Sequence, residues 1–311
     1  MDGVTDWVHR ELASSLGGVS QCVTEFVRVT DQTVPEKVFL RDAPELRRGG
    51  LTSDGVPVFV QILGGDARAM AASAAVAARL GAPGIDINFG CPAKRVNNHD
   101  GGASILRCPE RAELITRAVR DAVPAEIPVS VKIRLGWADS ASVVELAQRA
   151  ERGGASWLTI HARTKQQMYM PPVDYVAIGR ARQAVQIPIV ANGDVASIAD
   201  AERCARLSGI DHAFMLGRAS LARPFLFRAL RGEALAEGSP AELAPVLSRY
   251  VAIIEQAGYT PEHALRRLKQ WLSLATAVAP EVRPLFDLVK VQPTLLDAQR
   301  CLERVHTEQA A

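Results

Sequence analysis

Short apolar runs recur along the chain, separated by alanine-rich stretches. Residues 58–63, 85–89, 129–135, 157–161, 189–191 and 212–216 read as strands, and CVTEFVRV at the end of 19–29 reads as another. Several of them alternate, as where Ile85, Ile87 and Phe89 interleave with Asp86 and Asn88. Between them, 70–80, 110–122, 142–152 and 198–207 carry apolar residues three and four apart, the mark of amphipathic helices. Strand and helix in this alternation predict a parallel sheet, and an eighth strand would close it into a (β/α)8 TIM barrel of the usual size of about 250 residues. The seven runs leave the first strand truncated or missing. The chain starts on MDGVTDWVHRELA, a loop leading into a helix capped by Thr5 or Asp6.

After residue 220 the pattern changes. Residues 221–231 read as the last barrel helix, and 232–240 have the Gly, Ser and Pro content of a linker. Beyond lie only helical stripes: Leu247, Tyr250, Val251, Ile254; Leu268, Trp271, Leu272, Ala275; Leu285, Leu288, Val289; and Leu295, Leu302, Val305. The expected division is a barrel over 1–232 and a small all-α helical bundle over 241–311.

Composition narrows the function. An apolar fraction of 48% supports a sizeable core, and a formal charge of +2 argues against a binder driven by a basic tail. The five cysteines show no paired spacing, so neither a metal site nor a disulfide framework is expected, and a cytoplasmic location fits. Neither a signal peptide nor a membrane-spanning run is apparent, and a monomer is expected.

Chemistry concentrates at the predicted strand ends, where barrels carry it. The fourth run ends in NFGCPAKRVNN, which puts Cys91 at the rim between Gly90 and Pro92, with Lys94 and Arg95 nearby. A thiol so placed suits chemistry, although a small buried hydrophobe is the commoner fate of a cysteine. The other ends supply Glu25 and Arg28, Gln61, Lys132 and Arg134, His161 and Arg163, Asn192-Gly193-Asp194, and Gly217-Arg218. One such residue is ordinary; so many together suit an anionic, hydrogen-bonding ligand, because buried charge without a partner is costly.

NFGCPAKRVN followed by GGA resembles the signature of the flavin-dependent tRNA-dihydrouridine synthases. The resemblance covers nearly the whole chain and implies a flavin barrel followed by a helical tRNA-binding domain. It implies that Cys91 is the catalytic proton donor and that Asn88 meets the target base. Gln61, Lys132 and His161 would hold the ring and ribityl chain of flavin mononucleotide (FMN), and Asn192, Gly193, Asp194, Gly217 and Arg218 its phosphate. Relatives have a short strand ending in Ala-Pro-Met before the Gly-Val-Thr-Asp-like turn. Of these only Met1 stands here, as a further cofactor contact. NADPH or NADH would be the reductant.

LKQWLS, FVRV at Arg28 and RLGW over 134–137 are similar to the branch that modifies uridine 16 of the D-loop. That branch implies tRNA contacts at Arg28, Tyr169, Arg267, Lys269 and Lys290. From residue 235 on there are eight Lys and Arg against nine Asp and Glu, so the helical part is not basic as a whole. By its residues alone, the Arg266–Lys269 cluster reads as a solvated helix face. Two other functions compete. A small-molecule flavin oxidoreductase of the dihydroorotate dehydrogenase type shares barrel, flavin and a Cys near an Asn, yet needs no helical platform. A non-enzymatic RNA-binding module sits poorly with the near-neutral charge and the polar barrel mouth.

Overall fold

The computed structural model describes residues 3–233 and 239–308; Met1 and most of the expected linker lie outside the described residues. Eight parallel strand segments form one curled sheet: β1 (Cys22–Val23), β2 (Val27–Arg28), β3 (Val58–Leu63), β4 (Ile85–Asn88), β5 (Val129–Arg134), β6 (Trp157–His161), β7 (Ile189–Asn192) and β8 (Phe214–Met215). Their order is β1-β3-β4-β5-β6-β7-β8. β1 and β2 both pair with β3, so they are two halves of one stave. The break between them is bridged by Thr24, whose hydroxyl accepts from the Gln61 backbone N–H at 2.9 Å. The sheet therefore has seven staves, the barrel plan less its first, and β8 and β1 at its two edges are not paired with each other among the described residues.

The registers sort the side chains into two faces. Outward, Val60, Ile62, Ile85, Ile87, Val129, Val131, Leu158 and Ile160 are essentially inaccessible and meet the surrounding helices. Inward, register partners are polar: Gln61, Asp86 and Ser130 form one row. Asn88, Lys132 and Thr159 form the next, and Arg134, His161 and Asn192 the row nearest the strands' carboxyl ends. Strands covered on both sides normally read as apolar throughout. The alternation kept here marks an interior built for polar contacts.

Helices Ala67–Arg79, Pro109–Ala122, Val143–Arg152, Tyr175–Gln183 and Ile198–Ser208 follow β3 to β7. Asp66, Asp174 and Ser197 accept from the backbone N–H three residues on and so fix where three of these helices begin. The single helix expected over 221–231 is two short ones, Ala219–Ala222 and Leu226–Ala229, separated at Pro224, whose ring removes a donor.

The carboxyl-terminal helices Pro240–Gln256, Pro261–Ala275, Arg283–Lys290 and Leu295–Glu308 enclose a second core around Leu247, Tyr250, Leu268, Trp271 and Leu302. Leu288, expected in that stripe, is exposed. Two barrel segments join this core: Val8 and Leu12 of helix Trp7–Ser15, capped by Asp6, and Leu221 and Ala222. The Trp271 indole N–H donates to the Leu221 carbonyl at 2.7 Å. By packing, then, the helical unit takes in both ends of the barrel's own chain.

Candidate active site

Asp86 is a deeply buried carboxylate inside the sheet, 1% exposed. Ser130 Oγ donates to its Oδ1 at 2.6 Å, and Gln61 Nε2 donates to its Oδ2 at 2.7 Å. Gln61 Oε1 in turn accepts from Asn88 Nδ2 at 2.8 Å, and Asn88 Oδ1 accepts from the Gly90 backbone N–H at 2.8 Å. Burial, opposed by the Ser130 and Gln61 hydrogen bonds and by Lys132, pushes the Asp86 carboxyl up to about 6. It remains mostly ionised at neutral pH.

On the neighbouring staves Lys132 Nζ donates to Asn192 Oδ1 at 3.0 Å, and Asn192 Nδ2 donates to the Met215 carbonyl. Burial first, then Arg134, pulls the Lys132 ammonium down to about 8. Burial, reinforced by Lys132, Arg134, Arg163 and Arg218, holds His161 well below the usual imidazole range, so it is neutral at pH 7. The buried His161 Nδ1 and Thr159 Oγ1 have no partner among the described residues. Buried polar atoms in native proteins are almost always paired, so an unpaired ring nitrogen near four cations points to a ligand.

Cys91 sits at the rim, half-buried, and none of the five cysteines is in a disulfide. Its carbonyl accepts from the Ala103 N–H at 3.1 Å and from Asn97 Nδ2 at 3.0 Å, which folds the loop back on the thiol's own residue. Gly102 is what permits this. It has φ +59°, and a Cβ there would lie 2.9 Å from the Cys91 carbonyl oxygen. Arg134, buried at the mouth, ties this loop to another: its Nε donates to the Gly90 carbonyl, and its Nη1 to those of Thr164 and Met168. The next residue, Tyr169, is half exposed, edge-on to His161 and under the guanidinium of Arg218 at 4.9 Å.

Asp194 lies at φ +50° after Gly193, and its carboxylate pairs with buried Arg163. The same carboxylate lies 3.7 Å from Arg218, so it spans both guanidiniums at this turn. Among the described residues, no cluster of three or more His, Cys, Asp and Glu could hold a metal ion.

A family model described as "Dihydrouridine synthase (Dus)" matches residues 1–301. The chain belongs to the dihydrouridine synthase family. It is 41% identical over 307 residues to a protein of Cupriavidus necator, spanning 97% of this chain and 94% of that one. It is 42% identical to one of Aquipseudomonas alcaligenes, over 93% of each chain. A third, of Escherichia coli, is 40% identical over 99% of this chain and 97% of its own. All three are named tRNA-dihydrouridine(16) synthase.

Of the barrel residues named from the sequence, Gln61, Asn88, Lys132, His161 and Asn192 occupy neighbouring inward positions. Two partners were missed: Asp86, inside the quoted motif yet assigned no task, and Arg134, noted only as a polar strand end.

Arg267, expected to meet tRNA, turns inward in this structure. All five of its N–H groups are committed inside the protein: to Tyr250 Oη, to the Gly3 carbonyl and Gln270 Oε1, and to the Val4 carbonyl and Asp6 Oδ2. A guanidinium has five donors, so none is left for a phosphate. Arg267 instead clamps the amino-terminal turn onto helix Pro261–Ala275. Exposed Arg266 faces a cavity of about 480 Å³ lined also by Glu25, His263 and Gln270. Lys269 uses one of its three N–H groups on the Gln292 carbonyl, and half-exposed Lys290 pairs with Asp287. Arg267→Ala should cost the protein roughly 3 kcal/mol of stability by stranding buried acceptors, read as a lower denaturant midpoint. An unchanged midpoint with weaker tRNA binding would restore the phosphate role.

Proposed function

We propose that this protein reduces a uridine of the tRNA D-loop, position 16, to 5,6-dihydrouridine, using FMN and either NADPH or NADH. The observation that carries this reading is the buried polar interior with an unpartnered His161 Nδ1 beneath a rim that bears Cys91. Relatives at 40–42% identity that share the name tRNA-dihydrouridine(16) synthase support both substrate and position.

The residues present fit the cofactor. Gln61, Lys132 and neutral His161 offer hydrogen bonds to a flat heteroaromatic ring from inward positions on three staves. The turn at Asn192-Gly193-Asp194, with Gly217 and Arg218, suits a phosphate after the last two strands, a recurrent use of barrels. When bound, reduced flavin supplies the hydride for one carbon of the uracil 5,6 double bond. Cys91 gives the proton to the other. Asn88 orients the uracil. Because a stacked base cannot reach such a depth, the uridine is taken out of the RNA, and exposed Tyr169 offers a face for a neighbouring base.

Arg28, Lys269 and Lys290 meet the tRNA backbone, while Arg267 holds the platform in place. On this reading the enzyme works as a monomer in the cytoplasm, where its tRNA substrate is.

The test is direct. Purified protein, unmodified tRNA, FMN and NADPH should yield dihydrouridine at position 16, mapped by primer extension after alkaline treatment. Product at another uridine would sink the positional assignment. Reduction of free orotate or uracil but not of tRNA would favour the small-molecule oxidoreductase.

A further inference from the structure

The chain of hydrogen bonds at the bottom of the site has a direction, set at one end by Asp86, which accepts, and at the other by the Gly90 backbone N–H, which donates. An ionised carboxylate only accepts, so the side chain that meets Asp86 Oδ2 must present N–H. That orients the Gln61 amide with nitrogen towards Asp86 and oxygen towards Asn88. Gln61 Oε1 then requires an N–H from Asn88, which leaves Asn88 Oδ1 to accept from Gly90. Along this chain each amide oxygen already accepts from the protein, and each amide nitrogen keeps one N–H.

We propose that Asp86 is a positioning residue that fixes the amide of Gln61, and with Gly90 that of Asn88, so that each presents its free N–H to the ligands of the barrel. This rests on the functional reading above and sharpens it. Gln61 then addresses an acceptor on the flavin ring, and Asn88 addresses a uracil carbonyl oxygen rather than the N3–H. Without Asp86 the Gln61 amide nitrogen loses its acceptor and the array is held from the Gly90 end alone, so the Gln61 amide is less firmly set.

The surroundings keep Asp86 in the accepting form. From β3 the group facing it is neutral Gln61; from β5 they are neutral Ser130 and cationic Lys132. Taking up a proton gives Asp86 an O–H that competes with the Gln61 N–H, so the array weakens as pH falls through about 6.

Two measurements decide the matter. In the flavin-free protein, the side-chain amide resonances of Gln61 should shift as pH passes through about 6, and that titration should vanish in Asp86→Ala. Gln61 resonances indifferent to Asp86→Ala would overturn the proposal. The second is a double-mutant cycle on FMN affinity. Asp86→Ala should weaken binding roughly tenfold in the wild-type background and hardly further in Gln61→Ala. Additive losses would mean that Asp86 acts by some other route. Should Asp86→Ala fold poorly, Asp86→Asn keeps the shape while removing the charge. It should also abolish the titration near pH 6, and a titration that persists in it would again overturn the proposal. If the wild-type protein holds no flavin, the functional reading fails, and the flavin-free titration still decides the role of Asp86.

Discussion

Cys91→Ala should leave reduction of the flavin by the nicotinamide cofactor at its wild-type rate and slow the tRNA-dependent reoxidation by about 10²–10⁴-fold. A proton is needed only at the uracil carbon, so the first half-reaction does not depend on the thiol. Rapid mixing under anaerobic conditions separates the two: absorbance near 450 nm bleaches on adding the nicotinamide and returns on adding tRNA. Because the Cys91 carbonyl anchors the loop through Ala103 and Asn97, alanine preserves those two hydrogen bonds. Equal damage to both half-reactions would make Cys91 a structural residue.

The second large effect is expected at Lys132. Lys132→Met removes the cation while keeping much of its volume, and FMN affinity should fall roughly 10- to 100-fold, the worth of one charge-assisted hydrogen bond. The pH dependence has two opposite signs. Burial lowers the folded-state pKa of Lys132 from 10.5 to about 8, so flavin retention should weaken as pH rises through about 8 and the charge is lost. Between about 8 and 10.5 the unfolded chain binds this proton and the folded chain does not. The Lys132 contribution to stability of the flavin-free protein therefore increases with pH across that window. Equilibrium dialysis and denaturant titrations at pH 7 and 9.5 would read both. Flavin affinity that is flat across this range, or unaffected by Lys132→Met, would remove Lys132 from the site.

Much of this was legible in the sequence because the inward and outward faces of the sheet differ in polarity. Ile85-Asp86-Ile87-Asn88 announces both its strand and its ligand-facing side within four residues. The stave at 22–28 was legible as one strand but is split, since the Thr24 hydroxyl and not a backbone group completes the pairing there.

Helix Tyr175–Gln183 was not anticipated, and Gly179 near its middle is part of the reason. Glycine weakens a helix locally, and its purpose appears only in three dimensions, where a Cβ would come within 3.1 Å of the Leu207 carbonyl oxygen on the neighbouring helix. The tasks of Asp86 and Arg267 were likewise hidden. Partners 25 to 44 residues away decide the first, and partners up to 264 residues away the second. A run such as LRRLKQW gives no sign of which arginine turns inward.

The sharing of one apolar core between helix Trp7–Ser15 and the four carboxyl-terminal helices has a consequence for synthesis. Val8 and Leu12 leave the ribosome more than 200 residues ahead of their partners Leu247, Trp271 and Leu302. At elongation rates of about 5–20 residues per second, the sheet has several seconds in which to form before the platform exists. Throughout that interval the first helix is an apolar surface waiting for cover, a natural place for a chaperone to hold the nascent chain. A release of the protein cut short after Gly232 would stay in that condition, so the barrel cannot be isolated cleanly by truncation.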